Sequence, residues 1–188
     1  MFVTHFILSV MNKIDTVDLL LRELTEHDAT SEYVGWLNDS DVNKYLETRH
    51  ALQTLQSCRD FISSCNRDPC SHLFGVFLKS TGKHIGNVKI GFVNEMYSRG
   101  QLSLFIGDKE CWNKGYATQV VRVMTSYAIK NLKLQRVEAG CYEDNLGSLR
   151  IFLKAGYVVE GFMRSHVERD GKRLGCFWLG ILADEFQQ

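Results

Sequence analysis

The apolar residues of this chain follow two different spacings, which predict mainly helices in the first third and mainly strands afterwards. An apolar-rich run over residues 19–24 predicts an opening strand. Residues 52–65 then place apolar side chains at helical spacing, which predicts a helix. Further along, apolar runs predict three strands at residues 73–78, 85–93 and 102–106.

Capping residues and turn dipeptides indicate where the other elements begin and end. Thr25, followed three residues later by Asp28, predicts the start of a helix that carries Tyr33 and Trp36 on its apolar face. Ser40 and Asp41 are the capping candidates for a short helix at residues 42–46. The second half predicts a helix at 116–131, a strand at 135–142, a helix at 146–155 and a hairpin of strands 157–168 and 174–182.

Together these elements predict an α/β fold in which helices flank a central mixed sheet with parallel and antiparallel strand pairs. The sequence contains one proline, Pro69, and no low-complexity linker or repeat. We therefore expect a single domain over residues 19–188, preceded by an apolar extension over residues 1–18.

Composition and charge narrow the classes of function. With 22 basic and 22 acidic residues the formal net charge is zero, which argues against a nucleic-acid surface as the main function. No apolar stretch is long enough to cross a membrane, and the N-terminus lacks the features of a signal peptide, so we expect a cytoplasmic protein. The six cysteines form no C-x-x-C pair and no zinc-like spacing with histidines, so we expect no metal site.

A small-residue turn lies between the strand at 102–106 and the helix that follows it. It reads Trp-Asn-Lys-Gly-Tyr-Ala-Thr from Trp112 to Thr118. Such a turn directs backbone N–H groups outward at the positive end of a helix dipole, which favours a phosphate ligand. Gly115 permits close approach of a ligand, and Ala117 keeps the first turn uncrowded. The alternative is a tight connection that binds nothing, since neither of the common phosphate-loop spacings is present.

A second turn opens the helix at 146–155. Asn145 is a good helix cap, and Ser148 lies three residues later on the same face. Both side chains are therefore candidates for contact with a ligand at this helix start, although capping alone would also explain them.

The order of the two turns resembles the GNAT superfamily of acyl-CoA-dependent N-acetyltransferases. Residues 112–117 are similar to its pyrophosphate motif, Gln/Arg-x-x-Gly-x-Gly/Ala, with Trp112 in the first position. A tryptophan there is found in the branch that contains the Rim-type acetyltransferases of ribosomal-protein N-termini. Residues 21–29 also look like that branch, and the resemblance extends over residues 19–186.

The resemblance implies where acetyl-CoA binds. The co-substrate would lie in a cleft where the parallel strands at 102–107 and 135–142 splay apart. Its pantetheine arm would pair with the backbone of Phe105, Ile106 and Gly107. Its pyrophosphate would rest on backbone N–H groups of Lys114, Gly115, Tyr116, Ala117 and Thr118. Asn145, Ser148 and Lys154 would also contact it.

The resemblance further implies direct attack of a neutral amine on the thioester. The tyrosine that often protonates the leaving thiolate is Phe152 here, so Ser148 is the candidate acid. Gln101 replaces a frequent glutamate, which leaves Glu138 and Glu95 as candidate bases. An N-terminal α-amine, with a pKa of about 8, needs a strong base less than a lysine with a pKa of about 10.4 does.

Several acceptors and one other class of function fit the sequence. The first hypothesis is a protein or peptide N-terminal amine, and the second is a 4-amino nucleotide sugar or another small amine. A closed pocket with Trp36, Tyr45, Lys44 and Arg49 would favour the sugar, whereas an open acidic groove would favour a peptide. A non-catalytic acyl-CoA sensor and a plain interaction module are the rivals. A homodimer is the expected assembly to test.

Overall fold

A single eight-stranded sheet runs through the computed structural model, which describes residues 13–187. Its strands lie in the order β1-β2-β3-β4-β5-β6-β8-β7. They are β1 Lys13–Asp15, β2 Leu19–Glu23, β3 His72–Leu78, β4 His84–Asn94, β5 Arg99–Ile106, β6 Arg136–Tyr142, β7 Val158–Arg169 and β8 Lys172–Leu182. The helices are α1 Ser31–Asn38, α2 Ser40–Asn43, α3 Leu55–Arg67, α4 Tyr116–Lys130 and α5 Leu146–Lys154, with 3-10 turns at Glu26–Asp28, Glu47–His50 and Lys109–Cys111.

The sheet splays apart between its two parallel strands. All neighbouring strands pair antiparallel except β5 and β6, whose contact is limited to three residue pairs ending at Gln101 and Glu138. Beyond them β5 continues to pair with β4 as far as Ile106, and β6 with β8 as far as Tyr142. A gap therefore opens between β5 and β6 toward their carboxyl ends, and the predicted mixed α/β sheet with a central splay is confirmed.

Helices cover both faces of the sheet, and each face has its own core. The face under α4 and α5 is filled by a large cluster that includes Val120, Val121 and Met124, all fully buried. The opposite face packs against α1 and α3 through a smaller cluster that includes Trp36 and Ile62. The apolar stripes predicted for these helices explain this arrangement, because each stripe is buried only against a sheet face.

Three predicted helix starts were wrong by a few residues. Thr25 forms a capping box with Asp28 around a 3-10 turn, and α1 begins later, at Ser31 behind the cap Thr30. Asp39, not Ser40 or Asp41, caps α2. The third helix begins at Leu55 behind Thr54, because Leu52 is 81% exposed and has no core to face. In each case the true cap, Thr30, Asp39 or Thr54, accepts a hydrogen bond from a backbone amide in the first turn.

Residues 13–15 form the edge strand β1 inside the segment predicted as an extension. The remainder of that segment, residues 1–12, lies outside the described residues. The domain boundary at residue 19 stays a prediction.

An ion pair near the start of α1 should make stability depend on pH. Although burial raises the pKa of Asp28, hydrogen bonds from Arg22 and the Thr25 amide outweigh it and lower that pKa to about 2. The folded pKa lies below the unfolded value of about 4, so this stabilisation is complete at neutral pH and is lost as the pH falls from about 4 to about 2. Asp28→Asn should therefore lower the free energy of unfolding by about 2 kcal/mol at pH 7.

Urea unfolding of the wild type and Asp28→Asn at pH 7 and pH 3 checks this prediction. The gap between the two proteins should shrink to about half at pH 3. A gap of the same size at both values would mean that the carboxylate charge is not its cause.

Candidate active site

The splay between β5 and β6 opens into a cleft of about 720 Å³. This volume lies within the usual range for ligand sites, about 300–1,000 Å³. The cleft is walled by β5, β6, the start of α5, residues 41–46 and the turn at 112–118, called the elbow below. Nine predicted site residues line it: Phe105, Ile106, Gly115, Tyr116, Ala117, Thr118, Asn145, Ser148 and Lys154. Gly107, Lys114 and Glu138 are not among its lining residues.

The elbow presents unpaired backbone amides to the cleft. Asn113 and Gly115 both have left-handed backbone angles, with φ of 60° and 82°, and this geometry turns successive N–H groups to one side. Within residues 13–187 we find no acceptor for the amides of Lys114, Gly115, Tyr116 and Ala117. The Thr118 amide is different, because it donates to the Gly115 carbonyl oxygen at 3.1 Å. Four of the five predicted amides are thus available to an anion.

The backbone of β5 offers polar groups at alternate residues. The Gly107 amide donates to the Ile85 carbonyl oxygen at 2.8 Å, and the Phe105 carbonyl oxygen lies against Gly86 of β4. Because an antiparallel ladder alternates, the N–H and C=O groups of Leu104 and Ile106 face the cleft. A strand-like pairing of a ligand with this edge would therefore use Leu104 and Ile106, since the Phe105 and Gly107 backbone groups point to β4.

Trp112 occupies one of these polar groups. Its indole Nε1 donates to the Ile106 carbonyl oxygen at 2.7 Å, which fixes the half-exposed ring at the rim of the cleft. This contact gives the tryptophan of the predicted motif a structural role in bracing the elbow against the end of β5.

At the start of α5, Asn145 caps the helix as predicted, accepting a hydrogen bond from the Ser148 amide at 3.1 Å. The Ser148 hydroxyl has no partner among the described residues, and the residue lines the cleft. Phe152 is buried and packs edge-on against Tyr157 at 5.0 Å between ring centroids, so it offers no proton donor. Ser148 is therefore free to bond a ligand, whereas Phe152 is not.

Neither predicted carboxylate base faces the cleft. Glu138 lies at the closed end of the splay, where it accepts hydrogen bonds from Arg136 at 2.8 Å and Arg99 at 3.2 Å. Glu95 is exposed in the turn between β4 and β5, at the opposite end of β5 from the elbow. Both assignments as a catalytic base are corrected. The Glu138 carboxylate is engaged by two arginines, and Glu95 lies at the end of β5 away from the elbow.

A family profile described as the acetyltransferase (GNAT) domain matches residues 18–158. The chain belongs to the GNAT acetyltransferase family. It is an acyl-CoA-dependent N-acetyltransferase, as the family match and its curated relatives show.

Relatives of this GNAT chain differ in what they acetylate. The uncharacterized N-acetyltransferase YoaA of Bacillus subtilis strain 168 is 26% identical over 159 residues, which cover 84% of this chain and 89% of YoaA. A spermidine N-acetyltransferase from Vibrio cholerae, solved with CoA and spermine, has a TM-score of 0.81 at 18% identity and covers 90% of this chain and 98% of its own. A ribosomal-protein-S5-alanine acetyltransferase from Vibrio fischeri has a TM-score of 0.78 at 19% identity, covering 94% and 100%. At 18% and 19% identity, the likeness to the two solved structures shows the fold alone.

The residues of this GNAT cleft fit coenzyme A. Four unpaired amides at a helix N-terminus suit a diphosphate, and the cleft-facing edge of β5 suits an extended amide-containing arm. Lys154 lies at the rim, where its ammonium would meet phosphate charge. Among residues 13–187 no group of three or more potential metal ligands is found. No helix in the same range is long and apolar enough to cross a membrane.

Sequence reasoning missed two residues on the acceptor side of the GNAT cleft. Tyr142 ends β6 and lines the cleft, and its hydroxyl donates a hydrogen bond to Glu47. Because side chains alternate along a strand, Tyr142 lies on the same face of β6 as Gly140. An extension of the predicted strand to residue 142 was therefore the sequence signal for this tyrosine. Nothing local indicates Glu47, since the two residues are 95 positions apart.

Two of the four residues proposed for a sugar pocket, Trp36 and Arg49, offer no free group to the cleft, whereas the Lys44 ammonium lies 5.0 Å from the centroid of the Tyr45 ring. Trp36 is buried in the core beneath Gly107, and it does not line the cleft. Arg49 donates to the carbonyl oxygens of Leu46 at 2.8 Å and Glu168 at 3.1 Å, so its guanidinium is already engaged. Tyr45 does line the cleft.

Proposed function

We propose that this enzyme transfers an acetyl group from acetyl-CoA to the N-terminal amine of a protein or peptide. The observation that carries this proposal is the elbow, whose four unpaired amides lie beside the free edge of β5, with those of Gly115, Tyr116 and Ala117 in residues that line the cleft. A diphosphate held at the elbow would direct a thioester along β5 toward the acceptor side.

The chain itself supplies positioning and charge stabilisation. Attack of a neutral amine on a thioester carbonyl develops negative charge on oxygen, and a cleft-facing amide of Leu104 or Ile106 would hold it. One such donor is typically worth about 3–4 kcal/mol of transition-state stabilisation. The narrow cleft would orient the thioester so that its carbonyl carbon is open from one side only.

The cost of deprotonation favours an α-amine as the acceptor. About a tenth of an amine with a pKa near 8 is neutral at pH 7, whereas a lysine requires about 3 kcal/mol more. On the acceptor wall Arg49 is already engaged, so its guanidinium is not free to bind the diphosphate of a nucleotide sugar. Two structural neighbours, a ribosomal-protein-S5-alanine acetyltransferase and a spermidine N-acetyltransferase, are consistent with an amine acceptor.

A thiol-release assay tests the proposal. Purified protein would be incubated with acetyl-CoA and separate panels of N-terminal peptides, 4-amino nucleotide sugars and polyamines, and free coenzyme A would be measured. Turnover with peptides above that with the other panels supports the proposal. Turnover confined to sugars or polyamines would move the acceptor to that class, and coenzyme A binding without turnover on any panel would favour the sensor.

Ser148→Ala should lower turnover more than affinity for acetyl-CoA. The free hydroxyl at the cleft is the group placed to give a proton to the leaving thiolate. We expect kcat to fall at least tenfold while the Kd for coenzyme A changes less than threefold. Measured kcat equal to that of the wild type would remove Ser148 from the mechanism.

Two further expectations belong to this proposal. We infer that the enzyme works in the cytoplasm, where acetyl-CoA and nascent N-termini coexist. A homodimer stays a prediction; the edge strand β7 exposes Val158, Val159 and Phe162, which a second copy would cover.

A further inference from the structure

A tyrosine hydroxyl is held by a carboxylate on the acceptor side of the cleft. Tyr142 donates its hydrogen bond to Glu47, in the 3-10 turn that follows α2. The Tyr45 ring packs edge-on against the Tyr142 ring at 5.7 Å between centroids, and the Arg49 guanidinium lies 5.4 Å above it. The phenol is therefore held from three sides, and Tyr142 is one of the residues that line the cleft.

Among the described residues that line the cleft, no other phenol is hydrogen-bonded to a carboxylate; the Tyr45 hydroxyl donates to the Asp144 carbonyl oxygen. Glu138 and Glu95 do not reach it, and the side chain at Gln101 is neutral. Among the described residues that line the cleft, Asp41 is the one acidic side chain, and it is ion-paired with Lys109 at 2.7 Å. Acyl transfer to an amine nevertheless releases a proton from nitrogen, so a proton acceptor is required.

We propose that Tyr142, backed by Glu47, accepts the proton that the acceptor nitrogen releases during acyl transfer. This inference rests on the proposed function. Tyr142 is the catalytic residue, because its oxygen meets the amine. Glu47 is a positioning residue that acts through it.

The proton and electron count closes on groups already described. The nitrogen lone pair forms the N–C bond, and the C–S bond breaks with its electron pair on sulfur. The nitrogen proton passes to the Tyr142 oxygen as the phenol proton passes to Glu47. Glu47, 73% exposed, returns its proton to water. Sulfur takes a proton from Ser148, which water restores.

The groups around Tyr142 and Glu47 keep the phenol protonated and the carboxylate ionised. Burial raises the pKa of Tyr142, and its bond to Glu47 raises it further, so the phenol is protonated at neutral pH. The same bond, with help from Arg49, lowers the pKa of Glu47, so the carboxylate is ionised. The titratable and charged groups that face the pair are Arg49 and His50 from the 3-10 turn, Tyr45 before it, and Cys176 from the neighbouring strand β8.

Tyr142→Phe and Glu47→Gln test the relay with little change of shape. Each should lower kcat about 100-fold at pH 7 while leaving the Kd for coenzyme A within twofold of the wild type. The kcat of the double variant should fall no further than that of either single variant, since both substitutions remove the same relay. Tyr97→Phe, in the exposed turn before β5, and Glu26→Gln, exposed in the 3-10 turn before α1, make the same chemical changes away from the cleft and should leave kcat unaltered.

The pH profile separates catalysis from mere packing. The wild-type kcat should level off above the pKa of the acceptor amine, because the relay removes the proton. In Glu47→Gln the rate should continue to rise about tenfold per pH unit, since hydroxide must take its place.

The outcomes are distinct. A wild-type protein that binds coenzyme A but acetylates no amine overturns both the proposed function and the relay. An active wild type whose Tyr142→Phe and Glu47→Gln variants match it in kcat and pH profile overturns the relay alone. Loss of activity with the altered profile and intact coenzyme A binding supports the relay.

Discussion

Gly115→Asp is expected to weaken coenzyme A binding at least 100-fold. The elbow amides converge where the diphosphate would lie, and a Cβ added at Gly115 meets no atom within 4 Å, so the new carboxylate would project into open space at the anion site. Two unit charges about 4 Å apart near a protein surface repel by about 4 kcal/mol. A 100-fold loss requires only about 2.7 kcal/mol. Isothermal titration with coenzyme A measures the change in Kd.

Gly115→Asn is the matched control, because it has the same shape and no charge. Asparagine also tolerates the left-handed backbone angle of 82° better than most residues. We expect it to weaken binding by less than tenfold. Equal losses in the two variants would mean that backbone strain or bulk, not charge, sets the effect, and an unaffected Gly115→Asp would exclude the elbow as the diphosphate site.

Gly107→Ala is expected to lower the free energy of unfolding by about 3 kcal/mol. A Cβ at this position would lie 2.1 Å from the buried Trp36 ring, and overpacking of this kind forces side chains and backbone to shift. The ring has little room to move, since His84 packs edge-on against it at 5.2 Å between centroids. Urea unfolding gives the free energy, and the Kd for coenzyme A should stay within threefold because Gly107 does not line the cleft.

Gly35→Ala provides the control for Gly107→Ala. It adds the same methyl group one residue before Trp36, inside helix α1, where no atom lies within 4 Å. Alanine is the better helix former, so this variant should stabilise the protein by about 0.5–1 kcal/mol. In addition, Trp36→Phe combined with Gly107→Ala should be less destabilised than the sum of the two single changes. Strict additivity would show that the ring is not what the methyl group meets.

The elbow was predictable because its signal is local. A strand, a short turn with Gly115 and a helix follow one another in the sequence, and the backbone angles that expose the amides depend on those few residues. The cap at Asn145 was predictable for the same reason. The order of these two motifs carries the resemblance to the GNAT superfamily, which implied the splay in the sheet.

The direction of the β5 backbone and the acceptor side were not predictable. Which alternate residues face the cleft depends on how β5 pairs with β4, and an irregularity between β3 and β4 near His84 precedes that pairing. Phe105 and Gly107 were therefore placed out of phase. Glu138 looked available in the sequence because its arginine partners come from two strands. The Glu47–Tyr142 bond depends wholly on tertiary packing.

The three-pair junction between β5 and β6 has a consequence for solubility. Strand edges with unpaired amides and carbonyls can recruit other chains into aggregates, and most folds blunt them at the rim with charges, bulges or short strands. Besides its rim strands β1 and β7, this fold has two such edges in its interior, where β5 and β6 separate. A ligand that fills the gap would cover both interior edges at once and so remove them from contact with other chains.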